Sequence, residues 1–60
     1  MSKPIHEYRS TTRTARIYPS PTGYLVEYEE NDIVRTENYP TELLAEHLAE
    51  DWVLEADNGR

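Results

Sequence analysis

At 60 residues and 7.0 kDa, the chain can form one small domain, which excludes a two-domain organisation. It contains no cysteine, which excludes both a disulfide framework and a thiolate zinc site. The net charge is −6, with four cations against one carboxylate in residues 1–16 and two against eleven in residues 17–60, so the acidic body is not expected to bind nucleic acid.

The chain is predicted to begin with a flexible basic arm over residues 1–11, followed by a single small α+β domain over residues 12–60. The arm is polar, has no hydrophobic periodicity and is rich in Ser, Thr and Arg. From Thr12 to Tyr18 the residues become β-branched and aromatic, and Ala15 and Ile17 fall on one face. This pattern predicts the first strand, which Pro19 is expected to end.

Two further strands are predicted after the turn that contains Gly23. Residues 24–29 alternate between apolar or aromatic and mainly acidic side chains, which is the clearest strand pattern in the chain. Residues 30–32 have turn chemistry, and Ile33–Tyr39 resumes a β-rich pattern. The three strands are predicted to form an antiparallel meander.

After Pro40 the period changes to that of a helix, because apolar residues recur at three- and four-residue spacing. Thr41 is a candidate N-cap, and Asn58-Gly59 is a candidate helix end. Residues 52–56 are left open, since they would form a short strand if the helix stopped near Asp51. The predicted fold class is therefore α+β, with a three-stranded antiparallel meander followed by one C-terminal helix on one sheet face (β-β-β-α).

The expected core contains a helix row packed on the sheet. The row consists of Leu44, Leu48 and Trp52, one turn apart. The sheet residues expected opposite them are Ile17, Val26, Tyr28 and either Ile33 or Val34. The other sheet face would be left without a cover.

Catalytic and metal chemistry are not predicted. The serines lie in the arm or a turn, no nucleophile has an adjacent base, and the two glycines cannot form a phosphate loop. His47 and Asp51 have i, i+4 spacing, but no second ligand cluster completes a site and His6 lies in the predicted arm. The chain is therefore expected to be no enzyme and to hold no cofactor or metal.

Acidic residues form the candidate partner-binding surface. On the predicted helix, glutamates repeat at i, i+4 with no lysine between them, a like-charge arrangement that costs stability. The predicted second turn adds a further acidic group. The candidate partner-binding residues are Glu27, Glu29, Glu30, Asp32, Glu42, Glu46, Glu50 and Asp51. A solvated surface that only confers solubility is the alternative reading.

Four segments resemble short proteins of tailed phages, especially podoviruses. The segments are residues 14–18, residues 22–28 with a Gly-Tyr start, residues 37–40 with Tyr-Pro before the helix, and residues 45–53 ending in Ala-Glu-Asp-Trp-Val. They cover about two thirds of the chain. The layout is also similar to the small podovirus inhibitor of bacterial RNA polymerase, although its residues cannot be matched one by one. The resemblance implies a phage accessory protein that acts by binding.

The leading hypothesis is a small acidic phage-type protein that binds and modulates or inhibits a host or viral macromolecule. The expected partner is a protein with a basic surface, such as a nucleic-acid-handling enzyme, on which the anionic surface would act as a DNA mimic. With no signal-peptide core and no apolar run above three residues, no membrane partner is expected, and a cytoplasmic location is predicted, which is the host cytoplasm if the protein is phage-encoded.

Two alternatives remain open at the level of sequence. One is a self-assembling structural or adaptor module that dimerises through its sheet, by Tyr24, Tyr28 or a free strand edge. The other lets the basic arm touch nucleic acid while the body binds protein. The cations of this second alternative are Lys3, Arg9, Arg13 and Arg16.

Overall fold

The computed structural model describes residues 3–58, apart from the side chains of residues 57 and 58. Its elements are β1 (His6–Arg9), β2 (Arg13–Ser20), β3 (Gly23–Glu30), β4 (Ile33–Tyr39) and α1 (Glu42–Asn58). The strands form one antiparallel sheet in chain order. The predicted α+β class with a C-terminal helix is confirmed, whereas the prediction of three strands is wrong, because the sheet has four across residues 3–58. The predicted helix stop at Gly59 lies outside the described residues.

The additional strand, β1, lies inside the predicted flexible arm. His6 pairs with Ile17 and Tyr8 pairs with Ala15, so both side chains share the face of the buried β2 residues. Ile5 N–H also donates to the Ile17 carbonyl at 2.7 Å. A strand of four mostly polar residues carries no hydrophobic pattern of its own. It forms because β2 supplies its hydrogen bonds and Tyr8 packs against the core.

The two central hairpins follow from their turn residues. Ser20 pairs with Gly23 across a two-residue connection, so β2 continues past Pro19, where the sequence predicted its end. Proline is tolerated there because the pairing of β1 with β2 ends at Ile17, leaving an edge strand. The second connection, Asn31-Asp32, has φ values of 54° and 67°. Positive φ at both central residues is the signature of a type I′ turn, which matches the twist of a hairpin.

The helix begins where the sequence predicts. The Leu44 N–H donates to Thr41 Oγ1 at 3.2 Å, which confirms Thr41 as the N-cap. The residues left open, 52–56, are helical, and α1 continues to Asn58. Within residues 3–58, no helical segment combines the length and apolar character needed to cross a lipid bilayer.

The core differs from the predicted one in which helix face it buries. Ala45, Ala49 and Val53 are at most 2% exposed, whereas Leu44 and Leu48 are 41% and 38% exposed. The rest of the buried core is Ala15, Ile17, Val26 and Tyr28, with Trp52 partly buried at its edge. The predicted leucine row is thus wrong. The two alanines let the helix approach β2 and β3 closely, which rotates the leucines, one position earlier, onto its flank.

Ile33 and Val34, one of which was expected to complete the core, are both exposed, at 72% and 53%. They lie on β4, the strand at the far edge of the sheet from β1. A helix with side chains is about 10 Å in diameter, while four strands spaced about 4.8 Å apart form a wider layer. One helix therefore leaves Ile33 uncovered on its own side of the sheet, whereas Val34 is paired with Glu29 and points to the face away from α1.

Candidate interaction surface

The structure distributes the eight predicted binding residues over three places. Glu27 and Glu29 alternate with the buried Val26 and Tyr28, so they lie on the sheet face away from α1. Glu30 and Asp32 lie at the β3–β4 hairpin. The other four are on α1. The sheet acids on the uncovered face are thus separated from the helix acids by the sheet itself.

On the uncovered sheet face, the carboxylates already have a cation. Arg16 donates to Glu27 Oε1 at 3.1 Å and to Glu29 Oε1 at 3.0 Å, and its Nε donates to Glu7 Oε2 at 3.0 Å. The hydrogen bond with Glu29, followed by those with Glu27 and Glu7, raises the pKa of Arg16. The cross-strand register brings these groups together, because Arg16 is paired with Glu7 on one side and Glu27 on the other. This cluster is engaged within the fold.

Arg13 engages a second group on the helix side of the sheet. Its guanidinium donates to Glu30 Oε2, to Glu55 Oε1 and to the Trp52 carbonyl at 3.1, 3.1 and 2.8 Å. It also lies 4.7 Å from the centroid of the Trp52 ring, a cation–π distance. The hydrogen bond with Glu30, and then that with Glu55, raises the pKa of Arg13. Glu30 therefore helps to fix α1 on the sheet.

Three of the four helix carboxylates share one flank of α1, beside β1. His6 Nε2 lies 2.9 Å from Glu42 Oε2 and 2.9 Å from Glu46 Oε2. Tyr8 stacks on His6 with ring centroids 6.3 Å apart. Partial burial raises the pKa of Tyr8, and the negative charges of Glu46, Glu50 and Glu42 raise it further.

Asp51 lies on the opposite flank of α1. It borders an open groove between α1 and β4 that is also lined by Tyr28, Arg35, Tyr39, Leu48, Trp52 and Glu55. The Tyr28 and Tyr39 hydroxyls are 2.8 Å apart at its base, and the Arg35 guanidinium lies 4.4 Å from the Tyr28 ring centroid.

Besides Asp32 at the hairpin, four binding candidates on α1 have no arginine or lysine in salt-bridge distance among the described side chains. These are Glu42, Glu46, Glu50 and Asp51, whereas the described arginines are paired with Glu7, Glu27, Glu29, Glu30, Glu37 and Glu55. The last turn of α1 contains no basic residue. The four carboxylates of Glu42, Glu46, Glu50 and Asp51 run from the β1 flank of α1 around its outer side to the groove, and together they are called the helix acid surface below.

The imidazole of His6 and the carboxylates of Glu42 and Glu46 are also the donor types that divalent metals accept. Their ligand atoms lie within 4.8 Å of one another. His6 was not predicted as a site residue, because it falls in the predicted flexible arm. The period-two spacing of His6 and Tyr8 was the available signal. The same contacts tie β1 to α1.

Exposed leucines accompany the acids on α1. Leu43 is 66% exposed and Leu54 is 45% exposed. Their spacing of eleven residues, about three helical turns, puts them on the same outer face as His47 and Glu50. Leu43 and Leu54 were not predicted from the sequence as part of an interaction surface. The signal was the presence of leucines on more sides of the helix than one sheet can cover.

The cations proposed to let the basic arm touch nucleic acid are largely engaged. Arg13 and Arg16 are held by five carboxylates between them, and Arg9 Nη2 lies 3.4 Å from Glu7. A cation paired inside the fold releases fewer counterions on binding to a phosphate backbone. The geometry thus gives this alternative little support.

The chain matches no protein-family model, and no curated protein or solved structure shows significant similarity to it. The resemblance to short tailed-phage proteins stays a prediction.

Proposed function

We propose that this chain is a small binding protein whose helix α1 docks on a basic surface of a partner protein. The observation that carries the proposal is the helix acid surface, which has no arginine or lysine within salt-bridge distance in the described part of the chain. Like charges at i, i+4 destabilise an isolated helix, and no described arginine or lysine lies within salt-bridge distance of Glu46 or Glu50. A cationic partner would relieve this repulsion. A phage-type inhibitor or modulator of a nucleic-acid-handling enzyme is the form of this function that we propose.

The outer face of α1 supplies an apolar contribution beside the charge. Leu43 and Leu54 are exposed, with Glu50 between them on the same face. Apolar anchors surrounded by charged residues are typical of protein interfaces, where the anchors give affinity and the charges raise the association rate. The partner surface that fits this arrangement has an apolar pocket bordered by lysine or arginine.

The test compares two neutralised variants of the same net charge. Glu50→Gln with Asp51→Asn changes the helix acid surface at two exposed residues that have no described ion pair. Asp32→Asn with Glu37→Gln makes the same change of charge at the hairpin and β4. Tagged wild-type protein captures partners from a bacterial lysate, and the captured protein is then titrated with each variant at low and at raised salt.

We expect the helix variant to lose about tenfold or more in affinity, with a weaker salt dependence, while the β4 variant binds like wild type. A nucleic-acid-handling enzyme as the captured partner would support the DNA-mimic form. Equal binding by both variants, or binding insensitive to salt, would contradict docking through the helix acid surface.

Self-assembly through the sheet is a second candidate function. The observation that favours it is the exposure of β4, whose residues are exposed from Ile33 to Asn38. Unpaired strand edges accept strands from other chains, which makes this edge the natural place for such an interaction.

A further inference from the structure

The free edge of β4 is long and regular. Its seven residues pair with β3 without interruption, from Tyr24 with Tyr39 to Glu30 with Ile33. The strand contains no proline and its register has no bulge, the two backbone features that commonly protect an edge. β4 therefore offers a continuous row of backbone groups to another strand.

The hairpin geometry determines which residues of β4 offer those groups. In a two-residue hairpin the flanking residues, here Glu30 and Ile33, exchange hydrogen bonds with each other. Hydrogen-bonded and non-hydrogen-bonded pairs then alternate along an antiparallel ladder. The backbone groups of Val34, Thr36 and Asn38 consequently point away from β3, towards the free edge.

The charges of β4 favour antiparallel pairing with β4 of a second copy. Arg35 and Glu37 flank Thr36 and lie on the same face of the sheet, with Arg35 Nη1 3.3 Å from Glu37 Oε2. If two copies of β4 pair antiparallel about Thr36, Arg35 of each copy lies opposite Glu37 of the other. The same register pairs Val34 with Asn38 and Ile33 with Tyr39.

Neighbouring registers of the same strand pair are unfavourable because they bring like charges together. Only residues whose backbone groups point to the free edge can hydrogen-bond across it. Any other allowed register must therefore again place such residues of the two copies opposite each other. The two nearest such registers centre the pairing on Arg35 or on Glu37. Each then sets two like charges directly opposite, which destabilises a cross-strand pair. The register centred on Thr36 also keeps all seven residues of β4 in the ladder.

We infer that β4 is a homodimerisation strand, which pairs antiparallel with β4 of a second copy about a two-fold axis at Thr36. The result is a continuous eight-stranded sheet with both helices on one face. The inference rests on the second candidate function, self-assembly through the sheet, and deepens it by naming the strand, its register and its partner. It is independent of the proposed docking of α1, because β4 lies at an edge of the sheet and the helix acid surface stays exposed in the dimer.

The test uses charge reversal on each side of the proposed pair. Arg35→Glu leaves two glutamates opposite each other, and Glu37→Arg leaves two arginines opposite each other. We expect each variant to weaken dimerisation by about tenfold or more, measured by sedimentation velocity over a concentration series. An equimolar mixture of the two variants restores both opposite-charge pairs, so we expect it to form a heterodimer.

Arg9→Glu on β1, the opposite edge, is the control and should dimerise like wild type. Circular dichroism of each variant, with the Trp52 signal, verifies folding. A monomeric wild-type protein at high concentration would overturn the inference, and so would folded single variants whose mixture fails to associate. Since neither of these outcomes depends on binding through α1, failure here is distinguishable from failure of the proposed function.

Discussion

The two edges of the sheet differ in how they are held. β1 has four residues, yet its His6 contacts two glutamates of α1 and its Tyr8 packs against the core. β4 has seven residues, yet only Tyr39 is partly buried, through its contact with Tyr28. Strand length therefore does not decide which edge is secured. The position of the helix does, because α1 packs against the β1 edge of the sheet and leaves the β4 edge largely exposed.

The largest expected effect comes from making the same substitution in the covered and the uncovered parts. Ile17 is fully buried beneath α1, whereas Ile33 on β4 is 72% exposed. We expect Ile17→Ala to lower the free energy of unfolding by about 2–5 kcal/mol, and Ile33→Ala to change that of the monomer by less than about 0.5 kcal/mol.

Urea denaturation at low protein concentration measures both values. Since Ile17→Ala is expected to unfold much of a domain this small, Ile17→Val is the milder variant, with a cost of about 0.5–1.5 kcal/mol. Similar losses for Ile17→Ala and Ile33→Ala would mean that β4 is as well covered as β2.

The next effect concerns the attachment of β4 to the sheet at its far end. Gly23 has φ of +147°, and a Cβ atom at this position would overlap the Tyr39 carbonyl oxygen. Gly23→Ala must therefore displace either the turn or the end of β4. We expect a destabilisation of about 1–3 kcal/mol, together with faster amide hydrogen exchange in β4 than in β1.

Ser20→Ala, at the residue paired with Gly23, is the neighbouring control, because it adds no bulk to the same turn and removes only the exposed hydrogen bond that Ser20 Oγ accepts from Asn38 at 3.3 Å. A Gly23→Ala variant as stable as wild type would show that the β4 attachment tolerates the added atom.

The smallest expected effect is a dependence of the free energy of unfolding on pH, with Tyr28 as its source. Burial, followed by the hydrogen bond with Tyr39, raises the pKa of Tyr28 well above its ordinary value of 10.0. The folded state thus holds this proton more tightly than the unfolded state. Its contribution to stability is complete below pH 10.0 and is lost progressively as the pH rises above that value.

We expect Tyr28→Phe to flatten this alkaline decline, whereas Tyr18→Phe should leave it in place. Urea denaturation at neutral and alkaline pH, with absorbance titration of the tyrosines, measures both. An alkaline decline of wild-type size in Tyr28→Phe would remove Tyr28 as its source.

Much of the candidate surface could be identified from the sequence, but not which of its members are available to a partner. All eight acids were named because charge and spacing are visible in one dimension. Glu27 and Glu29 meet Arg16 only through the pairing of β2 with β3, and the same pairing brings Glu30 to Arg13 on the helix side of the sheet. The contact of His6 with Glu42 and Glu46 joins residues that are far apart in the chain.

The sequence by itself determined the strands β2, β3 and β4, the turns between them, and the N-cap and course of α1. These depend on side-chain alternation, helical periodicity and turn chemistry, which act over a few residues. Only the tertiary structure decided that His6–Arg9 forms a strand, that Ala45 and Ala49 rather than Leu44 and Leu48 face the sheet, and that β4 remains uncovered. The physical reason is that each of these outcomes depends on how closely the helix and sheet can approach, and on the limited width that one helix can cover.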